Sequence, residues 1–167
     1  MSEVDNPKSV SCNIRLAAAS DAPALAILRY ALRSSTRPAI EDERVFLERC
    51  SQWMSARLKE QTSWRCWVAE QDQIPIAAIW VNLIEKIPNP NSEPETFAYI
   101  TNFYVSEHAR GKGLGSRLLS NALAWCKDVP VHAVILWPTE RSRSLYERYG
   151  FAVPSDFLEL VMSDASR

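Results

Sequence analysis

The chain has 167 residues, 47% of them apolar, and a net charge of −1, which is enough for one domain with a sizeable core. So even a charge speaks against a nucleic-acid reader, which carries a basic face. No apolar run approaches the roughly 18 residues of a membrane span.

The acidic, polar start, Met1–Pro7, does not read as a secretory signal. Residues 1–12 read as a flexible tail ahead of a single domain, 13–167. Asn13–Ala17 alternates apolar and polar residues, which predicts a short strand. Ser20 is placed as the N-cap of a helix whose apolar face is Leu25, Leu28 and Leu32. Arg33–Ile40 interrupts that pattern. A second helix starts near Glu41 or Asp42, where Glu41, Asp42 and Glu43 read as end-capping residues suited to the helix dipole.

Trp64–Glu70 and Ile74–Val81 read as a hairpin of strands, with Pro75 near an end or an edge. Ile87–Glu95 holds three prolines and two asparagines and reads as an irregular loop. Ala98–Val105 follows as a strand, Ser116–Lys127 as an amphipathic helix, and Val131–Trp137 as a buried strand. A short helix over Ser142–Tyr149 ends at Gly150, and Phe157–Met162 reads as a last strand. The class is α/β with a mixed sheet: antiparallel early hairpins and one parallel crossover.

Cys12, Cys50, Cys66 and Cys126 form no C-x-x-C pair, and His108 and His132 show no metal-ligand spacing. Free thiols in a reducing cytoplasm are expected, and no metal.

Between strand 98–105 and the next helix stands Arg110-Gly111-Lys112-Gly113-Leu114-Gly115-Ser116. Three glycines at alternate positions let backbone N–H groups converge ahead of a positive helix end, which makes an anion site, most simply for cofactor phosphates. The spacing fits neither G-x-G-x-x-G nor G-x-x-x-x-G-K-[ST]. Arg110 beside convergent amides suits a pyrophosphate.

Arg110-x-x-Gly113-x-Gly115 after Tyr104-Val105 resembles the acyl-CoA signature of the GNAT N-acetyltransferase superfamily. A second stretch, Leu145-Tyr146-x-x-x-Gly150-Phe151, is similar to that family's L-Y-x-x-x-G-F segment. The resemblance implies a sheet splayed centrally between strands 98–105 and 131–137, with the pantetheine arm of acetyl-CoA beside Phe103 and Val105. It also implies that the pyrophosphate rests on Arg110, Gly111, Lys112, Gly113, Gly115 and Ser116. Thr139, where the family often has Asn, and Ser142 are implied as further cofactor contacts.

Tyr146 is implied as the acid, since acyl transfer expels a thiolate and a phenol of pKa about 10 can protonate it. The function implied is transfer of an acetyl group from acetyl-CoA to the primary amine of a small molecule by direct attack on the thioester. A non-catalytic acyl-CoA-binding module and a protein (N-terminal or lysine) acetyltransferase are the alternatives, and a homodimer is compatible with such a fold. Strand 98–105 holds no carboxylate base. Thr101 and Asn102 are placed to orient an amine or water, His108 reads as solvated, and Trp80 and Trp137 are candidate walls for an acceptor pocket. The acceptor itself is expected to be chosen by the Arg33–Ile40 and Ile87–Glu95 loops.

Overall fold

The computed structural model describes residues 12–59 and 62–162, so most of the expected tail, residues 1–11, lies outside them. The chain divides into two compact units, one running to Leu136 and one from Trp137.

The first unit is built on a five-stranded sheet in the order β1-β2-β3-β4-β5. Its strands are β1 (Asn13–Leu16), β2 (Trp64–Gln71), β3 (Ile74–Glu85), β4 (Thr96–Val105) and β5 (Ala133–Ile135). Neighbours through β4 pair antiparallel, whereas β4 and β5 pair parallel across the crossover helix α3 (Leu114–Asp128). The β2–β3 turn is Asp72-Gln73, both at positive φ, +51° and +66°. Two left-handed residues give a type I′ turn, whose twist matches that of the strands. The register shifts beside Pro75, which spares the ladder a missing donor.

Two layers of helix cover the sheet. On one face, α1 (Ala22–Ser34) buries Ala22, Leu25, Ala26 and Leu28, and α2 (Glu43–Lys59) buries Met54. These pack with Cys66, Val68, Ala78 and Trp80 of β2 and β3. Strand alternation turns Trp67, Ala69, Ile79 and Val81 to the other face, where α3 buries Leu114, Leu118, Leu119, Ala122 and Cys126. The Trp67–Trp125 ring contact, 5.6 Å between centroids, ties that helix to β2. Complete removal of Leu25, Leu118 and Leu119 from water contributes about 1.5–3 kcal/mol each. No helix among the described residues is long and apolar enough to cross a membrane.

The second unit contains α4 (Glu140–Arg148) and the residues after it. The strand expected over Phe157–Met162 does not form. Leu158 is 94% exposed and nothing pairs with the segment in the described sheet. An apolar run supplies strand propensity but no ladder partner, and three-residue β5 closes the sheet.

Ser20 also does not cap a helix. It sits inside a 3₁₀ turn, Ala19–Asp21, and Asp21 occupies the N-cap position of α1. The Asp21 carboxylate is already committed, to the Ala18 N–H and the Arg15 guanidinium. At α2 the acidic residues do act at the end: Asp42 Oδ1 accepts the Val45 N–H.

Candidate active site

The site elements of the first unit follow from one irregularity in β4. Ala78 pairs with Tyr104 but Trp80 pairs with Thr101, so Asn102 and Phe103 together oppose Ile79. This is a β-bulge, and Asn102 takes a left-handed conformation, φ +49°, which asparagine tolerates better than most side chains. On the opposite edge of β4 the ladder to β5 consists of Phe97–Ala133, Ala98–Val134 and Tyr99–Ile135. Pairing stops short of the bulge, so β4 and β5 part company where β4 runs on to Phe103 and Val105.

β4 leads through a 3₁₀ turn, Glu107–Ala109, into the glycines. Gly111 and Gly113 both stand at φ +74°, and a Cβ on either would meet nothing within 4 Å. Backbone conformation therefore selects glycine here, while crowding does not. Gly113 is the N-cap of α3 and makes no side-chain cap. First-turn N–H groups of an α-helix have no earlier carbonyl within the helix to bond, and the N-cap residue of this 15-residue helix has no side chain to offer them. Gly115 and Ser116 lie in that first turn, and Lys112 is exposed between the two left-handed glycines.

Arg110 is folded back on the strand that precedes it. Its Nε donates to the Val105 carbonyl (2.9 Å), Nη1 to Glu107 Oε1 (3.3 Å), and its guanidinium lies 5.4 Å from the centre of the Tyr104 ring. It thus fixes the exit of β4, and the Val105 carbonyl is engaged by it. His108 is exposed in the 3₁₀ turn.

In the second unit, Thr139 is the N-cap of α4. Its Oγ1 accepts the Ser142 N–H (3.3 Å) and its own N–H donates to Ser142 Oγ (3.0 Å). The two hydroxyl groups expected on a cofactor form a reciprocal capping pair. One turn on, Tyr146 is 6% exposed. Burial pushes its phenol up to about 12 from an ordinary 10, against a smaller opposing effect of a hydrogen bond with Ser142. A phenol so placed stays protonated and can donate.

The profile described as the Acetyltransferase (GNAT) family matches residues 28–151. The chain belongs to this family. A Bacillus subtilis (strain 168) relative, "Uncharacterized N-acetyltransferase YhfO", is 29% identical over 155 residues, 90% of this chain and 97% of its own. Among solved structures, a "predicted acetyltransferase with acetyl-CoA" from Clostridium acetobutylicum superposes with a TM-score of 0.76 at 24% identity, covering 91% of this chain and 97% of its own. A GCN5-related N-acetyltransferase from Ralstonia eutropha JMP134 gives a TM-score of 0.72 at 24% identity, covering 92% of this chain and 100% of its own. Both share the fold.

In this GNAT acetyltransferase, the first unit brings Phe103, Val105, Arg110, Gly111, Lys112, Gly113, Gly115 and Ser116 into one continuous run from the bulge to the start of α3. Thr139, Ser142 and Tyr146 belong to the second unit. Trp80, expected as a possible pocket wall, is 1% exposed and sits in the core against Trp53 and Trp64. An aromatic side chain on the doubly covered middle of a sheet is core by position. Trp137 is partly exposed and packs edge-on to Phe157.

A cavity of about 290 Å³ lies between α1, the loop that follows it and the start of α2. Its wall includes Arg29, Tyr30, Arg33, Arg37, Glu41 and Phe46. Residues of the Arg33–Ile40 loop line it. The Ile87–Glu95 loop does not, because it joins β3 to the far end of β4. Arg29 Nη1 donates to Asn102 Oδ1 (3.3 Å), which links the cavity to the bulge. Arginines at positions 29, 33 and 37, four apart, were the available signal in the sequence.

Proposed function

We propose that this chain transfers the acetyl group of acetyl-CoA to the primary amine of a small molecule, working in the cytoplasm. The observation that carries the reading is the run from the β4 bulge to Gly111 and Gly113. A strand edge released from its neighbour leads directly to two left-handed glycines, the second of them the N-cap of α3. That donor set fits a pyrophosphate, since backbone N–H groups and the helix dipole both favour an anion. Lys112 adds a cation beside it.

In the proposed reaction the amine nitrogen attacks the thioester carbonyl carbon. Main-chain N–H groups of β4 beside the bulge stabilise the negative charge that develops on the carbonyl oxygen. The C–N bond forms, the C–S bond breaks, and Tyr146 gives its phenolic proton to the departing sulfur. The surplus proton of the amine passes to water, since β4 offers no carboxylate to take it, and solvent returns a proton to the Tyr146 phenolate.

The test is CoA release measured against a broad panel of primary amines, with acetyl-CoA binding followed in parallel by thermal shift. Transfer to at least one amine and stabilisation by acetyl-CoA are expected. Stabilisation with no release from any amine would favour a binding module, and neither effect would end the reading altogether.

A further inference from the structure

The cavity that Arg29 links to the bulge has an unusual charge distribution. From Ala22 to Ile40 the chain contains three arginines and not one carboxylate. Arg29, Arg33 and Arg37 all line the cavity, and the one acidic residue in its wall, Glu41, is held by Arg49 at 2.6 Å. Among the described residues no carboxylate lies within ion-pair distance of Arg29 or Arg33.

Helix polarity accounts for part of this pattern, because cations are favoured in the last turn of a helix. It accounts for Arg33 on α1. It does not account for Arg29, more than a turn further in, half-buried and bonded, among the described residues, only to the neutral Asn102 amide. Burial and the charge of Arg33 both disfavour the charged form of that guanidinium. A cation taken partly out of water without a counter-ion is costly, and an anion entering the cavity would relieve the cost.

We infer that this cavity holds the anionic group of the acceptor, so that the substrate is a small primary amine bearing a carboxylate or phosphonate. The inference rests on the acetyltransferase reading and narrows it. Arg29 and Arg33 bind the anion from the α1 side, and the amine is directed toward Asn102 and the bulge in β4. The volume lies at the small end of ligand sites, about 300–1,000 Å³, and suits a molecule of amino-acid size. Polyamines, which bring only positive charge, are repelled by Arg29 and Arg33.

Matched pairs differing only in the anionic group test this. The standard α-amino acids are compared with their α-carboxamides, and 2-aminoethylphosphonate with ethanolamine. Turnover is read by CoA release, and binding by calorimetry in the presence of CoA. At least one anionic member is expected to exceed its neutral partner by about 10- to 100-fold in kcat/KM, the range of one hydrogen bond to a charged group.

Arg33→Ala, an exposed position that spares the fold, should raise the acceptor KM by a similar factor and leave the KM for acetyl-CoA unchanged. Arg33→Lys should recover part of the loss. Acetyl transfer that favours the neutral or cationic amines, or that ignores Arg33→Ala, would overturn the inference while the acetyltransferase reading stands. Binding of the anionic member that is lost in Arg33→Ala, without any transfer, would uphold the cavity assignment and defeat the acetyltransferase reading instead.

Discussion

Phe151 donates its N–H to the carbonyl of Tyr146 across 3.2 Å, and the two rings meet edge to face with centroids 5.6 Å apart. Between them, the Gly150 N–H bonds the Glu147 carbonyl (3.0 Å) with Gly150 at φ +88°. This is a Schellman ending, complete with the apolar contact that commonly accompanies it. It gives the Tyr146…Gly150-Phe151 spacing a physical cause: glycine closes α4, and the next residue reaches back to seat the tyrosine. Phe151→Ala should cost about 1–2 kcal/mol from the lost ring pair and part of its burial. Turnover should fall with it while acetyl-CoA affinity stays nearly intact. Phe151→Leu, which keeps an apolar contact, should recover most of the stability in urea titrations.

Tyr146→Phe removes only the hydroxyl. If Tyr146 is the acid, kcat should fall by about 100-fold or more, with little change in acetyl-CoA binding by calorimetry. Equal losses in both would assign Tyr146 to binding.

Its pKa also makes a pH signature. The folded phenol titrates near 12 and the unfolded one near 10. A raised folded pKa means stability is fully present below pH 10 and is lost as pH climbs from 10 to 12. Urea midpoints should therefore drop more steeply over that interval in the native chain than in Tyr146→Phe. The activity profile should show no alkaline loss from this group below about pH 11.

Much of this architecture is legible from local pattern. The glycine turn, α3 and the β2–β3 hairpin each have a periodicity or a turn chemistry that few other structures would satisfy. What escaped is set by partners distant in sequence. The run Phe157–Met162 has strand-like residues, but a strand exists only where another strand offers its edge. Ser20 looks like a cap in isolation, yet Asp21 takes the N-cap position of α1 because Arg15 from β1 holds its carboxylate in place. The bulge at Asn102 leaves almost no trace in a strand of aromatic and β-branched residues. The arginine cavity is visible as a spacing of four, but its meaning depends on Glu41 being paired with Arg49 instead of with Arg29 or Arg33.

Gly113→Ala separates conformation from contact at the start of α3. The added Cβ has open space, so the cost is that of holding an L-residue at φ +74°, about 1–2 kcal/mol. Gly113→Asn should cost less, because asparagine visits this region more readily. If the helix start seats the pyrophosphate, both variants should weaken acetyl-CoA binding, since each puts a side chain over the N–H groups. Thermal unfolding and calorimetry on the two variants distinguish the effects. Equal affinity for all three proteins would remove the glycine turn from the cofactor site.

Arg15 joins β1, β2 and the entrance to α1 through two carboxylates. Its guanidinium grips Asp21 with both terminal nitrogens, 2.7 and 2.9 Å, and its Nε donates to Glu70 Oε2 at 2.8 Å. The Arg15 hydrogen bonds hold the Asp21 carboxyl below its ordinary 3.8, against the opposing effect of burial. Because the folded pKa is depressed, this stabilisation is present above about pH 4 and disappears as pH falls through the folded value. Asp21→Asn should cost about 1.5–3 kcal/mol at pH 7, the range for hydrogen bonds to a charged group. The penalty should shrink in urea titrations carried down below about pH 4, where the unfolded carboxylate takes up a proton that the folded Asp21 still resists. Glu70 is lowered by the same arginine, so the variant should retain a weaker acid dependence. A penalty that stays constant over this pH range would show that the Asp21 charge contributes nothing and that its carboxylate acts only as an acceptor for the Ala18 N–H.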